Sequence, residues 1–365
     1  MNKLFTISIA IAMIFIAGKT SFTANAQKPD IYVAGSIYIR DNTPKTGEGL
    51  NPDYIPEEKK VEHFAFMENY KNGIVQNPEG FYSENASAKS VFVFDDEMFV
   101  AGSKNNKATA WKNGQARYLS NGYNSSAESI FVTDDDFYVA GYEQNEIRAD
   151  VAVLWKNGVP QYLSDGYNDA VASSVYVAGK DVYVVGRKYI PNTRCHVATL
   201  WKNGVPKNLT VEKKGAYAEA NAVVVSAGNV YVVGCETNTQ GNKVAKLWKN
   251  GIAKSLSNEN NIASAESVFV LGNDVYVVGY EKFEYGNRNV AKLWKNGIAH
   301  NLTNAKNEAK AYSVFVIDND VYVAGYEKND SNNRIAKLWI NGNAISLTDN
   351  SIDDATAYSV FLKKP

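Results

Sequence analysis

The sequence contains few of the residues from which proteins build metal and redox sites. Its 365 residues include two cysteines and three histidines. A zinc site takes three or four protein ligands that lie close together. The scattered His63, His196, His300, Cys195 and Cys235 do not predict such a site. We therefore expect no metal site and no cofactor.

The sequence also lacks a strong charge of one sign and a second long apolar run. Its 38 basic residues face 39 acidic ones, and without residues 1–26 the basic count falls to 36. A near-neutral chain without a basic block gives little electrostatic reason to bind nucleic acid or an anionic membrane. No stretch after residue 26 reaches the roughly 20 apolar residues of a membrane span. We expect no nucleic-acid partner and no membrane span in the mature chain.

Residues 1–26 are typical of a secretory signal peptide. Lys3 precedes an apolar run over residues 4–17, and Ala24-Asn25-Ala26 supplies the small residues of a cleavage site. The run is shorter than the roughly 20 residues that a membrane anchor needs. We predict cleavage after Ala26 and export to the periplasm, the cell surface or the extracellular space.

What the sequence does contain is an internal repeat in which three elements each recur seven times. The first is Trp-Lys-Asn-Gly with its variants, whose aromatic positions are Tyr70, Trp111, Trp155, Trp201, Trp248, Trp294 and Trp339. The second, Val-Tyr-Val-(Ala/Val)-Gly, ends at Gly35, Gly102, Gly141, Gly186, Gly234, Gly279 and Gly325. The third, Ser-Val-Phe-Val, starts at Ser90, Ser129, Ser174, Ala222, Ser267, Ser313 and Ser359. A period of 41 to 47 residues is typical of propeller blades.

Each repeat contains four short β-rich runs separated by turn residues. Asn-Gly between the third and fourth runs predicts a type I′ turn, because both central residues of that turn need positive φ. Asn273-Asp274 and Asn319-Asp320 predict similar tight turns between the first and second runs. One large ring per repeat, the recurring tryptophan, is expected to fill the space between neighbouring sheets.

The predicted fold class is all-β, a monomeric seven-bladed β-propeller of four-stranded antiparallel blades over residues 27–365. Residues 30–35 read as a lone second strand and residues 358–362 as a lone first strand. Pairing the N- and C-terminal strands in one blade would close the ring. An open β-solenoid is the alternative architecture, and it does not require complementary ends.

The repeats resemble the HAF repeats of secreted bacterial proteins, whose pattern is roughly Ala-Phe-Leu-Trp-x-Asn-Gly followed by a Leu. The resemblance lies in AVLWKNG at 152–158, ATLWKNG at 198–204, and AKLWKNG at 245–251 and 291–297. This sequence has Val, Thr or Lys where that pattern has Phe. The resemblance implies a secreted repeat protein of undefined activity, and it bears on the fold more than on function.

Unequal loops predict which face of the propeller binds a ligand. Connections after the second and fourth strands are predicted to be about ten residues long and to emerge on one face, here called the long-loop face. Function usually sits on loops held by a rigid scaffold. The residue before each first strand varies between copies and is predicted to surround the channel mouth: Lys89, Glu128, Ser173, Asn221, Glu266, Tyr312 and Tyr358. An unconstrained surface is the alternative, because variation means only that packing does not dictate these residues.

Two further features belong to the same face. Loops entering four successive blades carry the tyrosines Tyr82, Tyr123, Tyr167 and Tyr217. Exposed tyrosines can stack on sugars or anchor a peptide, or each can pack its own loop. An insertion in the first blade, residues 36–65, is either a lid, a partner-docking loop or an idle segment.

These observations predict a secreted binding or interaction module that recognises a glycan or a protein on the long-loop face. A carbohydrate-active hydrolase or lyase with carboxylates at the channel mouth is the alternative, although no catalytic residue can be assigned. Its candidates follow the second strand in four blades: Glu143, Glu236, Glu281 and Glu327. Recurrence at one position fits packing as well. Cys195 and Cys235 fall on adjacent blades, and because an exported protein permits a disulfide, we predict that they pair.

Overall fold

The computed structural model describes residues 29–40, 61–71, 74–75, 83–122, 124–282, 288–349 and 354–364. Within these ranges every regular element is a β-strand, and none is a helix that could cross a bilayer. The first four strands are β1 (Asp30–Arg40), β2 (Val61–Lys71), β3 (Ile74–Val75) and β4 (Ser83–Glu84).

Six four-stranded blades follow in chain order. Blades 1, 2 and 3 consist of β5 (Ala86–Phe94), β6 (Glu97–Lys104), β7 (Lys107–Lys112) and β8 (Gln115–Tyr118); β9 (Ser125–Val132), β10 (Phe137–Gln144), β11 (Asp150–Lys156) and β12 (Val159–Tyr162); β13 (Ala170–Ala178), β14 (Asp181–Ile190), β15 (Cys195–Lys202) and β16 (Val205–Asn208). Blades 4, 5 and 6 consist of β17 (Ala218–Ser226), β18 (Asn229–Thr237), β19 (Lys243–Lys249) and β20 (Ile252–Ser255); β21 (Ile262–Leu271), β22 (Asp274–Lys282), β23 (Asn289–Lys295) and β24 (Ile298–Asn301); β25 (Ala309–Ile317), β26 (Asp320–Lys328), β27 (Arg334–Ile340) and β28 (Asn343–Ser346). The last strand is β29 (Asp354–Lys363).

Within each blade, every strand pairs antiparallel with the next one in sequence. The predicted β-propeller of four-stranded antiparallel blades is therefore confirmed. Six such blades, rather than the predicted seven, are complete in the described ranges. The remaining strands form a differently built sheet, here called the terminal sheet.

The terminal sheet has the order β29-β1-β2-β3, and β4 also pairs with β2. Two-residue strands β3 and β4 stand where a blade has its four-residue outer strand, and the sequence after β3 contains Pro78, which has no N–H for a ladder. The β1–β2 ladder runs out to Arg40 and Val61. Ten residues of the predicted 36–65 insertion are therefore strand, and residues 41–60 lie outside the described ranges.

The spaces between sheets are filled as the repeat predicts. The six tryptophans of the described repeats are fully buried, and Trp155 and Trp201 each pack against the preceding blade. The terminal sheet packs on two neighbours: Ile31 and Leu362 lie in one cluster with blade 6, and Ala34 lies in another with blade 1. The prediction of one buried ring per blade is confirmed for blades 1 to 6.

The Asn-Gly pairs form the predicted turns for two physical reasons. In each blade both residues have positive φ, for example 53° at Asn250 and 85° at Gly251. The asparagine side chain also accepts the backbone N–H at the entrance to the second strand, as Asn250 Oδ1 does from Val230 at 2.9 Å. One asparagine thereby joins two hairpins, which explains why the repeat retains it.

Other connections differ from the predictions in detail. The turns between first and second strands are Gly272-Asn273 and Asp318-Asn319, one residue earlier than predicted. Loops after the second strand have four or five residues in blades 2, 3, 4 and 6 and two in blade 1, and loops after the fourth strand have six to nine. The strands extend further into the connections than their hydrophobic cores indicate, so the loops are shorter than predicted.

A belt of serine hydroxyls joins the first strands of neighbouring sheets. Each serine of the Ser-Val-Phe-Val element accepts a hydrogen bond from a backbone N–H of the next sheet, at 3.1 to 3.4 Å. The donor is the valine or isoleucine at the second position of that sheet's own element. The bonds run from Val91 to Ser359, Ile130 to Ser90, Val175 to Ser129, Val223 to Ser174, Val314 to Ser267 and Val360 to Ser313. Ala222 of blade 4 has no hydroxyl at this position.

Two residues further along each first strand, aromatic rings form a second belt. Contacting pairs have centroids 4.8 to 5.2 Å apart: Phe92 with Phe131 and Phe361, Phe131 with Tyr176, and Phe315 with Phe269 and Phe361. Blade 4 again departs, because Val224 stands at the aromatic position. Both belts are therefore interrupted at the same blade.

We predict that Ala222→Ser stabilises the fold by supplying the missing hydroxyl to the backbone of blade 5. The expected gain in the free energy of unfolding is about 1 kcal/mol, the net value of a typical hydrogen bond. Urea denaturation of the variant, with Ser267→Ala as the matched loss, measures it. A loss in Ser267→Ala without any gain in Ala222→Ser would mean that blades 4 and 5 do not have the spacing of the other pairs.

Candidate functional site

The seven residues predicted at the channel mouth share one backbone feature. In every blade and in the terminal sheet the register between first and second strand shifts at the same place, leaving one residue of the first strand in a β-bulge. These residues, here called the mouth, are Lys89, Glu128, Ser173, Asn221, Glu266, Tyr312 and Tyr358. All seven are partly exposed. Bulges redirect a side chain from the sheet faces, which frees this position from blade packing.

The recurring glycine of the second strand exists because of the bulge. A Cβ placed on Gly279 would lie 2.0 Å from the carbonyl oxygen of Ser264, and the equivalent glycines of the other five blades meet the same backbone at 1.9 to 2.0 Å. No side chain fits there. The recurring glycine and the variable mouth residue thus both follow from the same β-bulge.

Neighbouring mouth residues contact one another where blades 4 and 5 meet. The Asn221 amide nitrogen donates to Ser264 Oγ at 3.2 Å, to the Ala265 carbonyl at 3.0 Å and to Glu266 Oε2 at 3.3 Å. Burial raises the pKa of Glu266. The mouth therefore presents a carboxyl group that holds its proton more strongly than a free glutamate.

A second group of contacts joins blade 6, the terminal sheet and blade 1. The rings of Tyr312 and Tyr358 lie 5.3 Å apart, and the buried Tyr326 lies 6.1 Å from Tyr312. We call these three rings the tyrosine cluster. The Lys89 ammonium lies 4.2 Å from the centroid of Tyr358, in cation–π geometry.

The sequence reasoning missed two cations: Arg334, which borders the tyrosine cluster, and Lys310, which lies over Tyr280 of blade 5. The Arg334 guanidinium lies 5.1 Å from the Tyr326 ring, and the Lys310 ammonium lies 4.1 Å from the ring of Tyr280. Burial lowers the pKa of Lys310. Lys310 lies two residues before a mouth residue and Tyr280 directly follows the second-strand glycine. Both positions vary between copies, and that variation was the available signal.

Blades 3 and 4 carry a cluster around Glu219 that was also missed. Glu219 binds Arg187 at 3.3 Å and Lys243 at 3.7 Å, and it accepts hydrogen bonds from the Tyr217 hydroxyl and, at 3.6 Å, from the Cys235 thiol. Burial and the neighbouring carboxylate raise the pKa of Tyr217. This cluster is internally paired, since each cation contacts the same carboxylate.

The remaining mouth residues have fewer contacts. Burial and, secondly, the charge of Glu128 in the same blade raise the pKa of Tyr142. Ser173 occupies the equivalent bulge of blade 3. The seven mouth residues therefore comprise five types of side chain, with glutamate and tyrosine each present twice.

The predicted row of loop tyrosines does not form a shared surface among the described residues. Tyr82 and Tyr123 lie outside the described ranges. Tyr167 is 77% exposed. Tyr217 is instead packed, with Lys243 4.1 Å from its ring centroid and His196 at 5.1 Å, and burial lowers the pKa of that histidine.

The four recurrent glutamates do not point to the mouth, contrary to the interpretation that would make them catalytic. Three contact the third strand of their own blade, Glu281 with Lys292 at 2.7 Å, Glu327 with Lys337 at 3.7 Å and Glu236 with Lys246 at 3.8 Å, and Glu143 contacts the Tyr162 hydroxyl of the fourth strand at 2.7 Å. Their regular spacing reflects cross-strand pairing, which is why they recur.

The predicted disulfide is wrong. Cys195 and Cys235 are both free and both buried. Cys195 Sγ lies 3.0 Å from the Thr193 hydroxyl, whereas Cys235 Sγ contacts Glu219. Adjacent blades bring the two strands near each other, but the side chains have different partners.

Two grooves among the described residues have an appreciable volume, and neither is lined by a mouth residue. These grooves, of about 300 and 350 Å³, occupy equivalent inter-blade positions, one lined by Tyr276 and Leu293 and the other by Tyr183 and Leu200. They border the Asn-Gly turns, on the face opposite the mouth. Within the described ranges no three His, Cys, Asp or Glu side chains are grouped to hold a metal ion.

We predict that thiol reagents distinguish the free cysteines from a disulfide. The folded protein should react slowly, because both thiols are buried and burial raises the pKa of Cys235. Unfolding without reductant should release two thiols per chain, and one in Cys195→Ser. An unfolded parent protein with no titratable thiol would contradict the assignment.

We predict that Glu281→Gln destabilises the fold because it leaves the buried Lys292 ammonium without this carboxylate. Breaking a buried ion pair costs about 3–5 kcal/mol. Glu143→Gln, whose amide oxygen can still accept the Tyr162 hydroxyl, is the matched control and should change stability by less than about 1 kcal/mol. Urea denaturation compares them, and equal stability of both variants would mean that the ion pair does not hold the blade.

No protein-family model matches the sequence, and no curated protein matches it. Solved structures do resemble it. The β-propeller domain of the Trilobed protease from Pyrococcus furiosus, described as having an open velcro topology, aligns with a TM-score of 0.51 and 13% identity over 87% of this chain and 94% of that one.

Two longer chains align as well. A puromycin-hydrolyzing peptidase of Mycobacterium tuberculosis gives a TM-score of 0.51 at 9% identity, covering 79% of this chain and 50% of its own. The acylaminoacyl peptidase of Pyrococcus horikoshii gives 0.51 at 14%, covering 80% and 48%. This chain thus spans about half the length of those peptidases. At such low identity the likeness concerns the β-propeller fold alone.

Proposed function

We propose that the protein is a binding or interaction module that recognises a glycan or a protein at the mouth on its long-loop face. The observation that carries the proposal is the common β-bulge. Seven sheets use the same backbone device to present a residue that blade packing does not dictate, and the seven side chains are of five types: Lys, Glu, Ser, Asn and Tyr. A constant backbone that carries side chains of different chemistry suits the recognition of a ligand.

The chemistry of the mouth supports this reading. Tyr312 and Tyr358 present partly exposed rings beside one another, and Asn221 and Glu266 place an amide and a carboxyl group on the neighbouring sector. Aromatic rings with a hydroxyl combine apolar area and hydrogen bonding at low entropic cost. Sugars and polar peptides need both.

We further propose that the terminal sheet acts as the seventh blade and closes the ring. Pairing of β1 with β29 supports it, and so does the packing of the terminal sheet on blades 6 and 1. The serine bonds from Val91 to Ser359 and from Val360 to Ser313 continue the belt through this sheet. Closing the ring in this way leaves no incomplete blade with an unpaired edge at the ends of the chain.

We also propose that the protein is exported and that it belongs to the HAF-type repeat proteins. Residues 1–26 carry the signal-peptide pattern but lie outside the described ranges. The expected location is the periplasm, the cell surface or the extracellular space. A binding face directed at glycans or proteins suits any of these compartments.

A carbohydrate-active hydrolase or lyase is the second candidate, favoured by one observation. Glu266 is a mouth carboxyl with a raised pKa, as a general acid requires. The recurrent glutamates no longer support this candidate, because they pair with the third and fourth strands of their own blades. Glu266→Gln should retain binding and abolish turnover if the protein is an enzyme.

We predict that the double change Tyr312→Ala with Tyr358→Ala weakens ligand binding at least about fivefold, from roughly 0.5–1.5 kcal/mol per aromatic contact. Glycan and peptide arrays probed with the purified protein identify the ligand, and titration gives the affinities. Tyr162→Ala, on an outer strand, is the control and should bind like the parent. A double variant that is folded and binds undiminished would place the ligand elsewhere.

A further inference from the structure

The cations of the long-loop face divide into two groups. Arg187 and Lys243 share Glu219, and Lys328 pairs with Glu308 at 3.2 Å. Each of these three positive charges has a protein carboxylate. Such pairs are neutralised within the fold and give a ligand little to bind.

Several other cations of this face have no such partner in the part of the chain that the structure describes, and three of them, Lys89, Lys310 and Arg334, lie over tyrosine rings. Among the described residues, no carboxylate lies within ion-pair distance of their charged groups. Each instead lies over a tyrosine ring, on Tyr358, Tyr280 and Tyr326 respectively. Their positive charge is therefore shielded by ring faces but not neutralised.

These three cations occupy one sector. Lys89 belongs to blade 1, and Lys310 and Arg334 belong to blade 6, with the terminal sheet between them. The contacting rings of Tyr312 and Tyr358, tilted by 53°, connect the two sides. The sector thus contains a tyrosine surface with three unpaired positive charges at its border.

The surrounding carboxylates make other contacts, and Glu266 of the mouth accepts the Asn221 amide at 3.3 Å. Glu308 accepts the Tyr326 hydroxyl at 2.7 Å and pairs with Lys328, and Asp354 accepts the backbone N–H of Arg334 at 2.7 Å. Lys310 is half-buried and has no ion-pair partner among the described residues, while the more distant charges of Glu266 and Glu308 oppose the lowering of its pKa by burial. A half-buried ammonium group without a close ion pair is unfavourable for folding. A fold that keeps this cost has a use for an anion at this place.

The form of the site favours a sugar over a peptide. Among the described residues, the large exposed apolar side chains lie on outer strands, loops and strand ends, and none is a mouth residue. A peptide is usually anchored by apolar or aromatic side chains in a pocket. A hydrophilic ring with a carboxylate or a sulfate group matches tyrosine faces bordered by cations better.

We propose that the ligand of the mouth is an acidic glycan, whose carboxylate or sulfate groups bind Lys310, Arg334 and Lys89 while its sugar rings lie against Tyr312 and Tyr358. This inference rests on the proposed binding function and specifies its ligand. Charge-assisted hydrogen bonds to Arg and Lys supply the recognition of the anion.

The test compares a matched pair of glycans on matched variants. The probes are an oligogalacturonate and the same oligosaccharide with its carboxyl groups reduced, together with a sulfated galactan. Lys310→Met and Arg334→Gln should each weaken binding of the anionic probe at least about tenfold, as expected for a charge-assisted hydrogen bond. Lys295→Met is the control, because this lysine also lies over a tyrosine ring but on the opposite face and paired with Asp274.

Stability provides a readout that a merely structural role would not produce. If Lys310 is kept for a ligand, Lys310→Met should raise the melting temperature of the free protein, because it removes a half-buried unpaired charge. Lys295→Met should leave the melting temperature unchanged or lower it. A Lys310→Met variant that is less stable than the parent would make the lysine a structural residue and contradict the inference.

The outcomes separate this inference from the proposed function. Equal binding of the native and carboxyl-reduced probes, unaffected by Lys310→Met but lost in the double tyrosine variant, would overturn the acidic ligand and leave the binding module standing. Binding of acidic peptides in place of glycans would have the same meaning. Failure of every glycan and peptide to bind would overturn both. Salt-sensitive binding of the anionic probes alone, lost in Arg334→Gln, supports both.

Discussion

The close contact between the bulged first strand and the second-strand glycine is the constraint on which the rest of the molecule depends. An extra residue in the first strand pushes the Ser264 carbonyl into the space that a Cβ on Gly279 would occupy. The bulge also shifts by one residue the alternation of side chains between the two faces of the first strand. Before it, Ala263 and Ala265 are buried between blades, and after it Val268 is buried while Ser267 and Phe269 lie on the other side. The serine and aromatic belts therefore follow from the same extra residue that forms the mouth.

Much of this architecture could be predicted because residues that packing requires recur from one copy of the repeat to the next. Asn250-Gly251 predicted a type I′ turn, and its φ angles agree. The tryptophans predicted the spaces between blades, and Trp248 is fully buried. The terminal sheet was harder to predict, because Tyr70 stands at the tryptophan position of the sequence repeat and two-residue strands stand where a blade has a four-residue outer strand. Sequence similarity fades where the terminal sheet departs from the repeat.

Side-chain partners were less predictable than strands. The spacing of Cys195 and Cys235 indicated adjacent blades, but it carried no information on which way each thiol points. The recurrence of Glu281 indicated a framework position, and only the strand register revealed Lys292 as its partner. Contacts between blades join residues far apart in sequence, as Arg187 and Glu219 are, so their pairing cannot be derived from a pattern within one repeat.

The two faces of the propeller use charge differently, and that difference supports the assignment of function to one of them. At the Asn-Gly turns the same lysine recurs in blades 1 to 5, and in four of these blades it has a carboxylate, as Lys156 has Asp136 at 2.7 Å and Lys202 has Asp181 at 2.7 Å. On the long-loop face the cations occur at positions that change from blade to blade, and some have no carboxylate among the described residues. A repeated, paired charge serves the repeat itself. An unrepeated and unpaired charge, held over an aromatic ring in one sector, contributes nothing that the other blades need for folding, and its cost is best explained by a ligand.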